Sequence, residues 1–225
     1  EIFLATDVKK LLEGFLQKTG MNDPIIHFYE TFLGEYNPAL RKSRGVWYTP
    51  EAVVNFIVRA CDEVLKDEFA LSEGLSDETK IKIKVDDHDA GYTKTGQKRQ
   101  KEIEVHKVQV LDPATGTGTF LAETIKFIKK DFWGGSWSSY VEEHLIPRLN
   151  GFELLMASYA MAHLKLDLLL LETGYKPSKE QKRFNVFLTN SLESHHEHTG
   201  SLFASYLANE SKAADRVKKE VPVMV

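Results

Sequence analysis

The stretch from Val108 to Lys130 constrains the fold of this chain more than any other. Val108–Leu111 is a short apolar run, and Asp112-Pro113-Ala114-Thr115-Gly116-Thr117-Gly118 is a tight loop. Phe120, Leu121, Ile125, Phe127 and Ile128 then recur at helical spacing. Strand, glycine loop and helix in this order form the first half of a βαβ unit. The alternation continues: Leu149–Phe152 predicts a second strand ending at Glu153, and 154–171 a long helix. Asn185–Leu188 predicts a third strand, 201–219 a helix and 221–225 a fourth strand. Such alternation implies a mostly parallel sheet with helices packed on it.

Two regions stand before this unit. Phe3, Leu4, Val8, Leu11, Leu12, Phe15 and Leu16 outline an amphipathic helix, and Ile25 to Leu33 a second one after Asp23-Pro24. A third helix is predicted from Pro50 to about Lys66, capped by Thr49. Its apolar face carries Val53, Val54, Phe56, Ile57, Ala60, Cys61, Val64 and Leu65. Over 76–109, Ile81, Ile83 and Val85 alternate with lysines, and Ile103 and Val105 alternate with Glu104 and His106. This predicts a hairpin with a long solvated tip. Its 8 basic and 7 acidic residues do not make a cationic finger.

Composition narrows the class. Across 225 residues, 42% are hydrophobic and 28% charged, so a disordered chain is excluded. The formal net charge of −4 argues against a small module that wraps nucleic acid by charge alone. A single cysteine, Cys61, rules out an internal disulfide and a Cys-rich zinc site, and suits a cytoplasmic setting. No run of about 18 apolar residues suggests a membrane span. The chain opens at Glu1 within a helical pattern and closes on strand-like Val221–Val225, which leads us to expect a piece of a longer protein.

The loop 112–118 follows a strand where parallel sheets bind ligands. Gly116 and Gly118 let the backbone approach a ligand closely. A dinucleotide fingerprint asks for a third small residue where Leu121 stands, and a Walker loop asks for a Gly-Lys pair that the chain lacks. A ligand without phosphates, such as S-adenosylmethionine, fits better, with a plain glycine turn as the alternative.

Four motifs in order now carry a resemblance. Val110-Leu111-Asp112-Pro113-Ala114-Thr115-Gly116-Thr117-Gly118-Thr119-Phe120-Leu121 resembles the first motif of the N6-adenine DNA methyltransferases of restriction–modification systems. Gly45-Val46-Trp47-Tyr48-Thr49-Pro50 resembles the motif that precedes it in γ-ordered members. Gly151-Phe152-Glu153 and Leu188-Thr189-Asn190-Ser191-Leu192 occupy the places of the next two. The style is similar to type ISP enzymes, with type I and type IIG methyltransferases as close relatives.

The resemblance implies an α/β, Rossmann-like S-adenosylmethionine-dependent methyltransferase sheet, present in part. A helical section at 1–44 would precede a methyltransferase core at 45–225, with a hairpin insertion at about 78–107. It implies that Glu153 accepts hydrogen bonds from the cofactor ribose and that Asp112 lies near the methionine ammonium. Pro113, Ala114, Gly116, Gly118, Phe120, Leu154 and Ser191 would complete the cofactor-binding set. Asn190 would read the adenine amine or simply form a turn. Val46, Trp47, Tyr48 and Thr49 would close over the methionine end. DNA would be the substrate of the full-length protein, with helicase, nuclease and target-recognition regions as partners. No metal is implied: His195, His196, Glu197 and His198 lie in a polar stretch without metal-ligand spacing. The Met- and Leu-rich helix around Met161 is expected to be a core helix.

One motif is missing. The family holds its target base with a Pro-Pro-aromatic sequence after the fourth strand, and the seven prolines at 24, 38, 50, 113, 147, 177 and 222 include no adjacent pair. The chain is therefore expected to be the cofactor side of the enzyme, inactive alone. A non-catalytic cofactor-binding module, or a methyltransferase of RNA or protein amides, are the alternative readings.

Overall fold

A computed structural model describes residues 49–87, 90–92, 95–132, 135–178, 182–193, 202–219 and 223–224. For 202–203, 219 and 223–224 only the backbone is described. The chain divides into two compact units, Glu1–Pro50 and Glu51–Val225. Apart from Thr49 and Pro50, the first unit lies outside the described residues, as do the two helices predicted at 3–18 and 25–33 and the histidines at 195–198.

The second unit is a mixed α/β fold. It opens with α1 (Glu51–Phe69), followed by a 3-10 turn at Gly74–Ser76. An antiparallel hairpin comes next, β1 (Lys80–Asp86) with β2 (Gln100–His106). Its register sets Ile81 opposite Val105 and Ile83 opposite Ile103, so the alternation in the sequence puts the isoleucines on one face and Lys82 and Glu104 on the other.

Four strands form a separate parallel sheet: β3 (Val108–Asp112), β4 (Leu149–Glu153), β5 (Asn185–Leu188) and β6 (Val223–Met224). Their order across the sheet is β5-β4-β3-β6. The chain steps from β3 to β4 to β5 in one direction, then returns to the other side of β3. Neighbouring β3 and β6 thus mark a topological switch point, the place at which parallel sheets of this kind commonly bind ligands. The connections carry α2 (Thr119–Lys129), α3 (Ser136–Tyr140), a π turn at Val141–Leu145, α4 (Ile146–Arg148), α5 (Met156–Glu172) and α6 (Leu202–Lys219).

The core follows from the apolar spacing of α2 and α5. Leu121, Ile125 and Ile128 of α2 and Ala162, Leu166 and Leu170 of α5 are buried with Leu149, Phe152 and Val186 of the sheet. The aromatic stretch between α2 and β4 supplies core: Trp137, Tyr140, Val141 and Leu145 are all buried. Trp137 reaches across to donate its indole N–H to Thr173 Oγ1 at 2.9 Å.

Two expectations change. In α1 the buried residues are Val54, Val58, Asp62 and Leu65, while Val53, Phe56, Ile57 and Val64 are exposed and Cys61 is half-buried. Asp62 is inside because its carboxylate accepts the Leu75 backbone N–H at 2.8 Å and meets Lys66 Nζ at 2.6 Å. The second change concerns α5, which the sequence presents as a core helix. Only one of its faces is core; Leu164 and Leu171 on the other are about half exposed.

Candidate functional site

The parallel arrangement delivers Asp112, Glu153 and Leu188 to the same edge of the sheet. Asp112 pairs in register with Gly151, and Glu153 with Leu188. The loop after β3 is then bent back over β4. Thr115 donates its backbone N–H to Phe152 O at 2.9 Å and its hydroxyl to Asp112 O at 3.0 Å. Gly116 and Gly118 both adopt positive φ, 56° and 81°, which favours glycine. Gly118 is the residue from which α2 starts, and a Cβ there would lie 3.4 Å from Ala162 Cβ of α5. The glycine therefore serves helix packing as well as the turn.

Two carboxylates meet at this edge in different states. Glu153 is buried, and both of its oxygens are engaged: Oε2 accepts the Gly116 N–H and Oε1 accepts the Leu155 N–H, each at 2.7 Å. Asp112 Oδ1 accepts the Ala114 N–H at 3.1 Å, whereas Asp112 Oδ2 is buried with no hydrogen-bond partner among the described residues. Burial pushes the Asp112 carboxyl up to about 6 against the opposing bond from Ala114, and the nearby Glu153 charge adds to the rise.

The loop after β5 closes the group. Thr189 N–H bonds Glu153 O at 2.8 Å, and Ser191 Oγ donates to Pro113 O at 2.8 Å. Asn190 Oδ1 accepts the Leu192 N–H at 3.0 Å, which is the turn-forming arrangement. Leu154 is 52% exposed beside Glu153, and Pro113 and Ala114 are exposed at the loop tip. Phe120 is half-buried and packs against the core.

Of the residues singled out from the sequence, Asp112, Pro113, Ala114, Gly116, Glu153, Leu154 and Ser191 thus converge at three successive strand ends. Asn190 joins them through its turn. Thr49 is half-buried ahead of α1, in the first compact unit, and Val46, Trp47 and Tyr48 lie outside the described residues. Sequence reasoning passed over Thr115, which stitches the loop to β4 although it sits inside the motif. It also overlooked the steric role of Gly151: a Cβ there would lie 2.5 Å from Thr115 Oγ1.

The arrangement suits a cationic, hydroxyl-bearing ligand. One carboxylate oxygen at the strand edge lacks a partner, a second carboxylate keeps lone pairs for further donors, and apolar surface from Leu154 and Pro113 lies alongside. No group of three His, Cys, Asp or Glu residues able to hold a metal occurs among the described residues.

Comparisons with known proteins agree with the motifs. Residues 21–102 match the family model described as N-6 DNA Methylase. No curated protein matches the chain. Among solved structures, the chain is similar to a DrdV–DNA complex, with 26% identity and a TM-score of 0.58, covering 88% of this chain and 15% of that one. It is also similar in fold to the ATP-dependent type ISP restriction–modification enzyme LlaBIII bound to DNA, with 24% identity and a TM-score of 0.53, covering 79% of this chain and 10% of that one. The chain therefore spans a small fraction of the length of these proteins. The matched residues include the Gly45–Pro50 motif, and the structural likeness extends over the rest of the chain, so the resemblance to DNA methyltransferases is met from an independent side.

Proposed function

We propose that this chain is the cofactor-binding part of an S-adenosylmethionine-dependent DNA adenine-N6 methyltransferase from a restriction–modification enzyme. The observation that carries the reading is the pair of carboxylates at adjacent strand ends, Glu153 hydrogen-bonded and Asp112 with a buried free oxygen. The match of residues 21–102 to the N-6 DNA Methylase model and the likeness to the DrdV–DNA complex support DNA as the substrate. On this reading the four strands are the first part of a Rossmann-like methyltransferase sheet.

The residues fit the cofactor. When bound, S-adenosylmethionine supplies an electrophilic methyl group. Asp112 Oδ2 would take the methionine ammonium as its missing partner, a charge-assisted bond in a dry site. Glu153 would take the ribose hydroxyls on lone pairs that the two backbone N–H groups leave open. Leu154 and Pro113 would bracket the adenine, and Asn190 Oδ1 would accept from its amine. Ser191 Oγ donates to Pro113 O and so ties the loop after β5 to the loop after β3. Val46, Trp47, Tyr48 and Thr49 would cover the methionine end. The gene product would act in the cytoplasm on host DNA, together with helicase, nuclease and target-recognition regions. Among the described residues no helix is long and apolar enough to cross a membrane.

Calorimetric titration of the 225-residue chain with S-adenosylmethionine and with its demethylated product tests the reading. Saturable binding of both, with NAD and ATP giving no heat, is expected. Absence of cofactor binding both here and in a longer protein containing this segment would overturn it.

A further inference from the structure

The two ends of the hairpin close on one imidazole. His106, the last residue of β2, sets its Nε2 3.0 Å from His144 Nδ1 in the π turn, with the rings edge to face at 5.2 Å. Glu78, just ahead of β1, brings Oε2 to 3.6 Å from His144 Nε2, and Glu143 Oε2 stands 3.9 Å from the same atom. Lys107 N–H donates to Thr79 O at 2.8 Å and closes the base of the hairpin. His106 is buried, and the charges acting on it come from Arg148 of α4, its register partner Lys80 of β1, His144 and Asp77. His144 is half-buried, with the Tyr140 ring 5.5 Å away. Neither histidine belongs to the carboxylate site.

We propose that this pair is a proton-operated latch, which docks the hairpin on the π turn and releases it when the second imidazole is protonated. Two facing ring nitrogens bond only if one donates and the other accepts. With both rings neutral, the carboxylates hold a hydrogen on His144 Nε2, so His144 Nδ1 accepts from His106 Nε2. With one proton added, His144 becomes the cation beside Glu78 and Glu143, and its Nδ1–H donates to His106. With two, both facing nitrogens carry hydrogens and the bond is gone. Two cations then oppose each other beside Arg148 and Lys80. Burial, then the charges of Arg148, Lys80 and His144, hold the His106 imidazole down to about 4, against an ordinary 6.5, and Asp77 opposes them. A base held low in the docked state takes its proton more readily undocked. Falling pH therefore favours release, by up to ~10-fold per pH unit between these two values. Acidification is expected to free the hairpin while the parallel sheet stays folded.

Hydrogen exchange of the full 225-residue chain tests this, with protection factors corrected for intrinsic exchange at each pH. Between pH ~6.5 and ~5 the Lys107 N–H is expected to lose roughly 30-fold in protection, while the Ile125 N–H, in the core of α2, stays level. His106→Gln keeps a donor and an acceptor opposite His144 but takes no proton. It is expected to keep the protection and lose the pH response. His144→Phe keeps a ring beside Tyr140 and removes both contacts, and is expected to leave Lys107 N–H poorly protected at every pH. Protection of Lys107 in wild type that is level over this range, or that falls in step with Ile125, overturns the proposal. So does a pH response that survives in His106→Gln. Should the variants not fold, the wild type decides alone: a His106 ring that titrates as a free histidine overturns the latch, and one that titrates well below, together with the loss at Lys107, upholds it.

Discussion

Gly116 N–H donates to Glu153 Oε2 at 2.7 Å, so the residue that ends the second parallel strand also fastens the loop that follows the first. With Leu155 N–H on Oε1, the carboxylate joins loop, strand and the start of α5. A ligand at this edge thus meets a loop that is already shaped. Glu153→Ala removes the acceptor for two backbone donors and, on the proposed reading, for the ribose. S-adenosylmethionine affinity is expected to fall by ~1.5–3 kcal/mol, the size of a hydrogen bond to a charged group. Calorimetry reads the affinity, and amide exchange at Gly116 should speed up in the ligand-free protein. Unchanged affinity removes Glu153 from the cofactor site.

Asp112 gives the pH dependence. Its carboxyl is raised to about 6 by burial and the Glu153 charge, against about 3.8 for an exposed one. Between these values the folded chain holds a proton that the unfolded chain has lost, so stability falls as pH rises through about 4 to 6 and is level above. Asp112→Asn is expected to stabilise the fold at pH 7 by up to about 2–3 kcal/mol, measured as a shift in denaturation midpoint. Cofactor binding should run the other way. The ammonium needs an ionised Asp112, so affinity rises with pH through about 6, and the asparagine variant loses both affinity and that dependence. A variant that is more stable and binds as well as wild type rejects the ammonium role.

Most of the sheet was legible in the chain because its strands are short apolar runs bounded by polar turns. The boundaries at 108–112, 149–153 and 185–188 follow from Val108–Leu111, Leu149–Phe152 and Asn185–Leu188. Helix extents were legible too, since the 3.6-residue period reports that one face is buried. Which face is harder. In α1 the apolar residues span two sides, and only the fold reveals that Val58 and Asp62 point inward while Phe56 points out. In α5 no polar stripe marks the outer side, so periodicity cannot orient the helix. The site's acids were visible as strand-end residues. Their difference in hydrogen bonding was not, because the partners of Glu153 lie 37 residues upstream and two downstream.

Gly151 tests the packing between loop and strand. A Cβ at this position would lie 2.5 Å from Thr115 Oγ1 and 3.1 Å from Leu121 Cδ1. Neither neighbour can yield freely, as Thr115 is tied to Asp112 O and Leu121 is buried. Gly151→Ala is expected to cost ~1–3 kcal/mol of stability, as overpacking does. Thr115→Ala should recover much of it by removing the oxygen and methyl that clash, giving a coupling of at least ~0.5 kcal/mol in a double-mutant cycle. Urea denaturation of the four proteins measures it, and additive single effects would show that the loop moves aside.

Binding and transfer should separate in this chain. Methylation of an exocyclic amine needs the base out of the helix, stacked and with its amine held by acceptors. The residues that resemble the cofactor motifs are present, whereas none of the seven prolines is adjacent to another. The Pro-Pro-aromatic motif that resemblance to the family calls for is therefore missing from these 225 residues. The parallel β6 strand lies beside β3. Transfer of tritiated methyl from S-adenosylmethionine to DNA is expected to remain at background for this chain at any cofactor concentration. Incorporation above background, abolished by Glu153→Ala, would show that the chemistry is assembled from other residues and refute this division of labour.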